Sequence, residues 1–235
     1  MVDKKIHTSL DDKIESYEVY EVEIGEHEII CYDLVGSHTT SGVRHTIIQN
    51  DFKFDEIDIG EGENYVELGA FNGLLAFYVA KLFPKANIHI FECNPIMLTA
   101  INFGIVANNL WNVRCYPFGL SSFNGNCNFL VQEHNVGGSY LTHDKEVGGT
   151  QKVKVYDFET ILSTFDNIKY LKIDIEAEEY KIFDTLIKSE SKFFDRVSCL
   201  HLELHEALGG SKTESDNIKE YLSSFSDLKA IIETH

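Results

Sequence analysis

The sequence predicts an α/β fold: a mostly parallel, doubly wound sheet with a β-rich N-terminal cap and an inserted β segment. From Asn64 onward, short apolar runs alternate with stretches of helical spacing. The runs are too short and too apolar for surface helices, which is the texture of strands buried on both faces. Around residues 13–34 and 121–156 the texture differs, with paired strand-like segments and turn residues between them.

In chain order, residues 13–34 alternate apolar and polar positions about Gly25, as a hairpin with one face on a core should. Residues 35–62 mix Gly, Ser, Thr and acids, with a short helix expected near Val43–Phe52, and should lie close to the active site. Residues 1–62 are thus the expected cap and 63–235 the main domain. In the latter, strands are expected at Tyr65–Leu68, Ile88–Phe91, Val113–Pro117, Tyr170–Ile173 and Val197–Leu204. Helices are expected at Leu74–Phe83, Pro95–Asn108 and Glu178–Lys188, and this alternation is what a doubly wound sheet requires. Residues 121–156 interrupt it with strand-like segments around a Gly-rich middle, read as an insertion carrying extra β structure and a loop. Trp111 is read as a packing residue.

Composition narrows the function. The chain has 235 residues, 43% of them hydrophobic, and a formal charge of −18 from 38 acidic and 20 basic side chains. The guanidinium groups are those of Arg44, Arg114 and Arg196, so a nucleic-acid partner is not expected, because phosphate binding needs clustered cations. The same charge would repel an anionic membrane, and no apolar run approaches the roughly 20 residues of a spanning helix. Cys31, Cys93, Cys115, Cys127 and Cys199 lack CxxC spacing and are read as reduced thiols; with no signal core in the first twelve residues, a cytoplasmic location is expected.

The sharpest local signal is Val66-Glu67-Leu68-Gly69-Ala70-Phe71-Asn72-Gly73, a strand ending in a glycine turn before the helix at Leu74. Such a turn lets a ligand approach the backbone, and the helix N-terminus offers free N–H groups to an anion. Its G-x-x-x-G spacing differs from the G-x-G-x-x-G of dinucleotide sites. About twenty residues on, Ile88–Phe91 ends in Glu92, where a carboxylate can accept both hydroxyls of a ribose.

These residues, with Phe91-Glu92-Cys93-Asn94-Pro95, Asn102, Lys172–Glu179 (KIDIEAEE) and His201–His205, resemble the FkbM family of S-adenosylmethionine-dependent methyltransferases, from about Asn64 to His205. The resemblance implies a Rossmann-like class I methyltransferase fold. It also implies S-adenosylmethionine as cofactor and methyl transfer to oxygen, with a sugar or other small molecule as acceptor. Glu67 would face the methionine ammonium, the N–H groups after Gly69 its carboxylate, and Glu92 the ribose. The candidate cofactor set is completed by Ala70, Asn72, Gly73, Cys93, Gly119 and Asp174. Two departures stand out: Glu67 where the family often has Asp, and Ala177 where it usually has Gly, tolerable if the backbone there is helical. Ile231–His235 ends the chain where such a sheet carries a further antiparallel strand, so an abbreviated sheet or a truncated chain is expected.

A hydroxyl acceptor needs a base or a metal. Asp174 follows a strand whose end should face the ligand crevice, the alternative being an N-cap for the next helix. Glu203 and His205, two apart on a strand, share a face. Asp174, Glu203 and His205 are therefore the catalytic candidates. Together with Glu176 they would suit Mg²⁺ or Mn²⁺; without metal, His205 is the expected base, oriented by a carboxylate. Glu178 and Glu179 are read as charges favoured by the helix dipole. His134 and His143 flank a loop able to close over an acceptor. Competing readings are a nucleotide-dependent oxidoreductase and a noncatalytic cofactor-binding module. The sequence is silent on oligomeric state.

Overall fold

The computed structural model describes residues 6–8, 17–37, 39–131, 138–143 and 150–235. The N-terminal part contains β1 (Ile6–Thr8), β2 (Tyr17–Ile24), β3 (His27–Leu34) and α1 (Thr39–Gln49). The central elements are β4 (Asn64–Leu68), α2 (Leu74–Leu82), β5 (Asn87–Phe91), α3 (Pro95–Ala107) and β6 (Val113–Tyr116). The insertion carries β7 (Gly119–Ser121), β8 (Gly125–Leu130), β9 (Tyr140–Thr142) and β10 (Thr150–Asp157). Then come α4 (Phe158–Leu162), β11 (Ile168–Ile173), α5 (Glu178–Lys188), β12 (Val197–Leu204), α6 (Lys212–Ser223) and β13 (Lys229–Thr234).

The main sheet has the order β13-β12-β11-β4-β5-β6, and every neighbouring pair in it is parallel. The order reverses between β4 and β11, where open α/β sheets form their ligand crevice. Side-chain alternation divides the core in two. Tyr65, Ile88, Ile90 and Tyr170 face α2 and α3 in one buried cluster, and Val66, Leu171, Ile173 and Leu202 face α4, α5 and α6 in the other. The expected strands and helices are all present, most within two residues of their expected limits. Residues 229–234 form the sixth strand, parallel to β12, in a stretch the sequence left unassigned.

The β2–β3 hairpin turns through Gly25 and Glu26, with Gly25 at φ 60. Its Val22, Ile24, Ile29 and Cys31 enter the same core cluster as Leu75, Phe77 and Val79 of α2. Asn108 fastens it further, donating to the carbonyl of Ile30 at 2.6 Å and accepting the Ile30 N–H at 2.9 Å. Helix α1 starts and ends earlier than expected. It begins where Asp33 accepts the Thr40 N–H and ends where Asn50, at φ 58, breaks the right-handed turn. The insertion forms a separate four-stranded sheet, β7-β10-β8-β9. Trp111 does not pack: it is 92% exposed, on the link between α3 and β6. No helix among the described residues is long and apolar enough to cross a membrane.

Phe77 fills a gap left by two glycines. A Cβ at Gly73 would lie 2.6 Å from its ring, and one at Gly104 only 2.2 Å. Since Phe77 is wholly buried, it cannot swing away. Gly104→Ala should therefore destabilise the protein by about 1–3 kcal/mol through overpacking, read as a lower urea midpoint with an unchanged m-value.

Candidate functional site

Where β4 ends, the chain turns through Gly69 at φ 76, Phe71 at φ 50 and Gly73 at φ 83 before α2 begins. Only glycine fits at 69, because a Cβ there would lie 1.8 Å from the carbonyl oxygen of Asp174. The Gly69 N–H donates to Phe91 O at 3.0 Å and the Asp174 N–H to Leu68 O at 3.2 Å, which ties together the ends of β4, β5 and β11. Glu92, just past β5, accepts the Phe71 N–H at 3.0 Å and the Asn94 N–H at 2.8 Å. Burial pushes its carboxyl up to about 7 against the pull of those bonds. Burial likewise pushes Glu67 up to about 7, opposed by Lys172 and by the Tyr65 hydroxyl, which donates to Glu67 at 2.9 Å.

A cavity of about 420 Å³ opens over these strand ends. Glu67, Gly69, Ala70, Glu92, Cys93 and Gly119 line it on the side of β4 and β5, and Asp174, Glu176 and Glu203 line it beyond β11. Thr39, Val43 and Thr46 of α1 and Ser139 and Tyr140 of the insertion complete its walls. Asn72 and Gly73, expected at the ligand, stand behind the turn instead. Asn72 is 1% exposed with its amide bonded to Thr40 and Leu74, and Gly73 accommodates Phe77.

On the far side, Lys172 is buried among acids. Its ammonium donates to Asp174 at 2.7 Å and lies 3.7 Å from Glu203. Burial favours the neutral amine, but Asp174, Glu203 and Glu67 hold Lys172 charged, above the usual lysine range. Burial also works against the Glu203 charge, yet Lys172 and His201 bring that carboxyl down to about 2. Asp174, Glu203 and His205 do converge, offering one ligand atom each within 4.8 Å of one another. Glu176 is outside that set, although it lies 3.7 Å from His205. Burial pushes Glu176 up to about 7 against the pull of His205.

His205, the base expected in a metal-free site, sits among carboxylates. Burial disfavours its charge, but Glu179, bonded to Nδ1 at 2.9 Å, together with Glu176 and Asp174, lifts it to about 9. It also stands behind the cavity wall, with Nε2 3.7 Å from Asp174.

Glu178 and Glu179 lie in the first turn of α5, as expected, but they are buried, at 2% and 0% exposed, and do more than complement the dipole. Glu179 holds His205, and Glu178 accepts bonds from Ser121 and Lys181 and pairs with His143 Nε2 at 3.0 Å, which anchors the insertion on α5. A signal for Glu179 was present: it shares the apolar stripe of Ile182, Phe183 and Leu186. Asp174 is not an N-cap, since Ala177 takes that position. The backbone condition for Ala177 is not met: Glu176 and Ala177 both have left-handed φ, 53 and 76, where a Cβ is disfavoured. Asn102 is exposed and bonds only Leu98 O within its own helix. His134 lies outside the described residues.

A family profile described as the methyltransferase FkbM domain matches residues 67–229. No curated protein sequence matched the chain. Among solved structures, the chain is similar to precorrin-6y C5,15-methyltransferase from Geobacter metallireducens GS-15, at 11% identity and a TM-score of 0.42, over 77% of this chain and 70% of that one. It is also similar to the Methanococcus jannaschii fibrillarin pre-rRNA processing protein, at 10% identity and a TM-score of 0.42, over 95% of this chain and 88% of that one.

The buried carboxyl of Glu92 makes stability depend on pH. Its folded pKa, about 7, is above that of an unfolded glutamate, so the stabilisation it confers is complete at low pH and is lost as pH rises through 7. Glu92→Gln removes this titration. Its melting temperature should fall less than the parent's between pH 5 and pH 8, and identical slopes would contradict the assignment.

Proposed function

Because this chain belongs to the FkbM family of methyltransferases, we propose that it transfers the methyl group of S-adenosylmethionine to a hydroxyl of a sugar or related small molecule. The observation that carries this reading is the joining of two unlike ends in one cavity: the Glu67–Gly69–Glu92 end and the Asp174–Glu203 end. The first suits the cofactor by its donor chemistry. Glu92 has backbone N–H partners yet retains lone pairs for ribose hydroxyls, Glu67 offers a carboxylate for the methionine ammonium, and the turn after Gly69 offers N–H groups.

When bound, the cofactor supplies an electrophilic methyl group. The acceptor must lie in line with it, and the hydroxyl proton must leave as the O–C bond forms. Asp174 and Glu203, at the cavity wall, are placed to take that proton. Lys172 pairs with both, and His205, held by Glu179, steadies Asp174 from behind. The charge of the wall also favours a class of acceptor. Among its described residues the sole lysine or arginine is Lys172, already engaged by Asp174, which favours a neutral glycoside over a nucleotide-linked sugar.

A second reading rests on the convergence of Asp174, Glu203 and His205. Those residues would hold Mg²⁺ or Mn²⁺, which lowers the pKa of a bound hydroxyl.

The test is S-adenosylhomocysteine release from a panel of neutral glycosides and nucleotide-linked sugars, with and without chelator. Turnover with a neutral acceptor is expected, and Asp174→Asn should reduce it by about 10²-fold to 10⁴-fold, the usual loss with a catalytic base. Activity abolished by chelator and restored by Mg²⁺ or Mn²⁺ selects the metal reading. Parental turnover in both Asp174→Asn and Glu203→Gln would reject the site.

A further inference from the structure

The cofactor turn is held from outside the region that the family profile matches. Asp33, at the end of β3, is wholly buried, and one of its oxygens accepts the Leu34 N–H at 2.8 Å. The other accepts both the N–H of Thr40, at 3.2 Å, and its hydroxyl, at 2.6 Å. Having given its one proton to Asp33, the Thr40 hydroxyl can only accept, and it does so from the Asn72 amide at 2.8 Å. That fixes the amide: its oxygen faces the Leu74 N–H at 3.2 Å, at the start of α2. One residue earlier, the Phe71 N–H meets Glu92. Thr40 is 3% exposed and Asn72 1%, so each partner of this chain would be left unsatisfied if another were removed.

We infer that Asp33 and Thr40 are positioning residues for the cofactor, setting through Asn72 the turn that carries Gly69 and Phe71 toward Glu92. Both lie before residue 67, where the family match begins. The inference rests on the cofactor reading of that turn given above. Its physical content is directional. A carboxylate at the N-terminus of α1 pins the helix whose Thr39, Val43 and Thr46 line the cavity, and the same hydroxyl orients the turn that forms the cavity's other wall. The N-terminal segment therefore sets the distance between the two walls.

The experiment is calorimetric titration of S-adenosylhomocysteine into the full chain and three variants. Thr40→Val keeps the shape and removes the hydroxyl, Thr40→Ser keeps the hydroxyl, and Tyr221→Phe loses a bond to Ser191 O far from the cavity. Thr40→Val should bind about tenfold more weakly or worse, as loss of a buried polar partner implies. Thr40→Ser should stay close to the parent. Tyr221→Phe, although destabilised, should bind as the parent does, which separates positioning from general loss of stability. Equal affinity in Thr40→Val and the parent, or equal weakening in Thr40→Val and Tyr221→Phe, would overturn the inference. If Thr40→Val does not fold, hydrogen exchange on the parent decides. Saturating S-adenosylhomocysteine should slow exchange at the Leu34 and Thr40 amides, which do not line the cavity, and protection confined to residues 69–73 and 92–97 would overturn the relay. A parent that binds no S-adenosylhomocysteine refutes the cofactor reading itself, and the relay falls with it.

Discussion

One buried ammonium sets the electrostatics of the site. Lys172 is on β11, flanked in register by Glu67 of β4 and His201 of β12, and its side chain bonds Asp174, one residue past the end of β11. An isolated charge at that depth would lose its proton or destabilise the fold. Here several carboxylates share one cation, and each is held where its strand ends. Geometry and charge are thus the same constraint: the sheet register places Glu67, Asp174 and Glu203 around Lys172, and Lys172 makes their burial tolerable. Removing the lysine would leave buried carboxylates facing one another, which is costlier than losing one ion pair.

A second constraint is mechanical and lies one residue past β4. Gly69 has the Asp174 carbonyl where a Cβ would be, so the turn after β4 packs directly on the chain leaving β11. The same close approach accounts for the strained pair Glu176 and Ala177. The chain must leave β11 beside Gly69 and still enter α5 with Glu179 turned inward, and two left-handed residues make that turn. Such strain is stored where a site needs a fixed geometry.

What was legible in the sequence follows from the range of each interaction. Strands β4, β5, β11 and β12 could be read because parallel strands buried on both faces leave an unbroken apolar run. Gly69 and Glu92 were legible because a strand, a tight turn and a helix start are local. Helix α6 had a legible start, the Ser211–Glu214 capping pair, but it was not assigned. Lys172 could be seen as part of a motif but not as a buried cation, because its partners come from the pairing of β11 with its neighbours. Glu179 could be placed at a helix start, but its bond to His205 could not be seen, because only the position of His205 in space shows what it holds. Asp33 and Thr40 gave no sign at all, since their partner Asn72 is 32 residues beyond Thr40.

The acidity of the cavity bears on the direction of the proposed chemistry. S-adenosylmethionine carries a sulfonium charge that is lost on methyl transfer, whereas the α-amino and carboxylate groups of the two cofactor forms are alike. A wall with Asp174, Glu176 and Glu203 on it would therefore attract the donor more than its demethylated product. The proton released by the acceptor replaces that charge on the protein, so the wall retains a compensating charge until the proton escapes to solvent. On this account the crowding of carboxylates, costly to the fold, favours substrate over product at the same site.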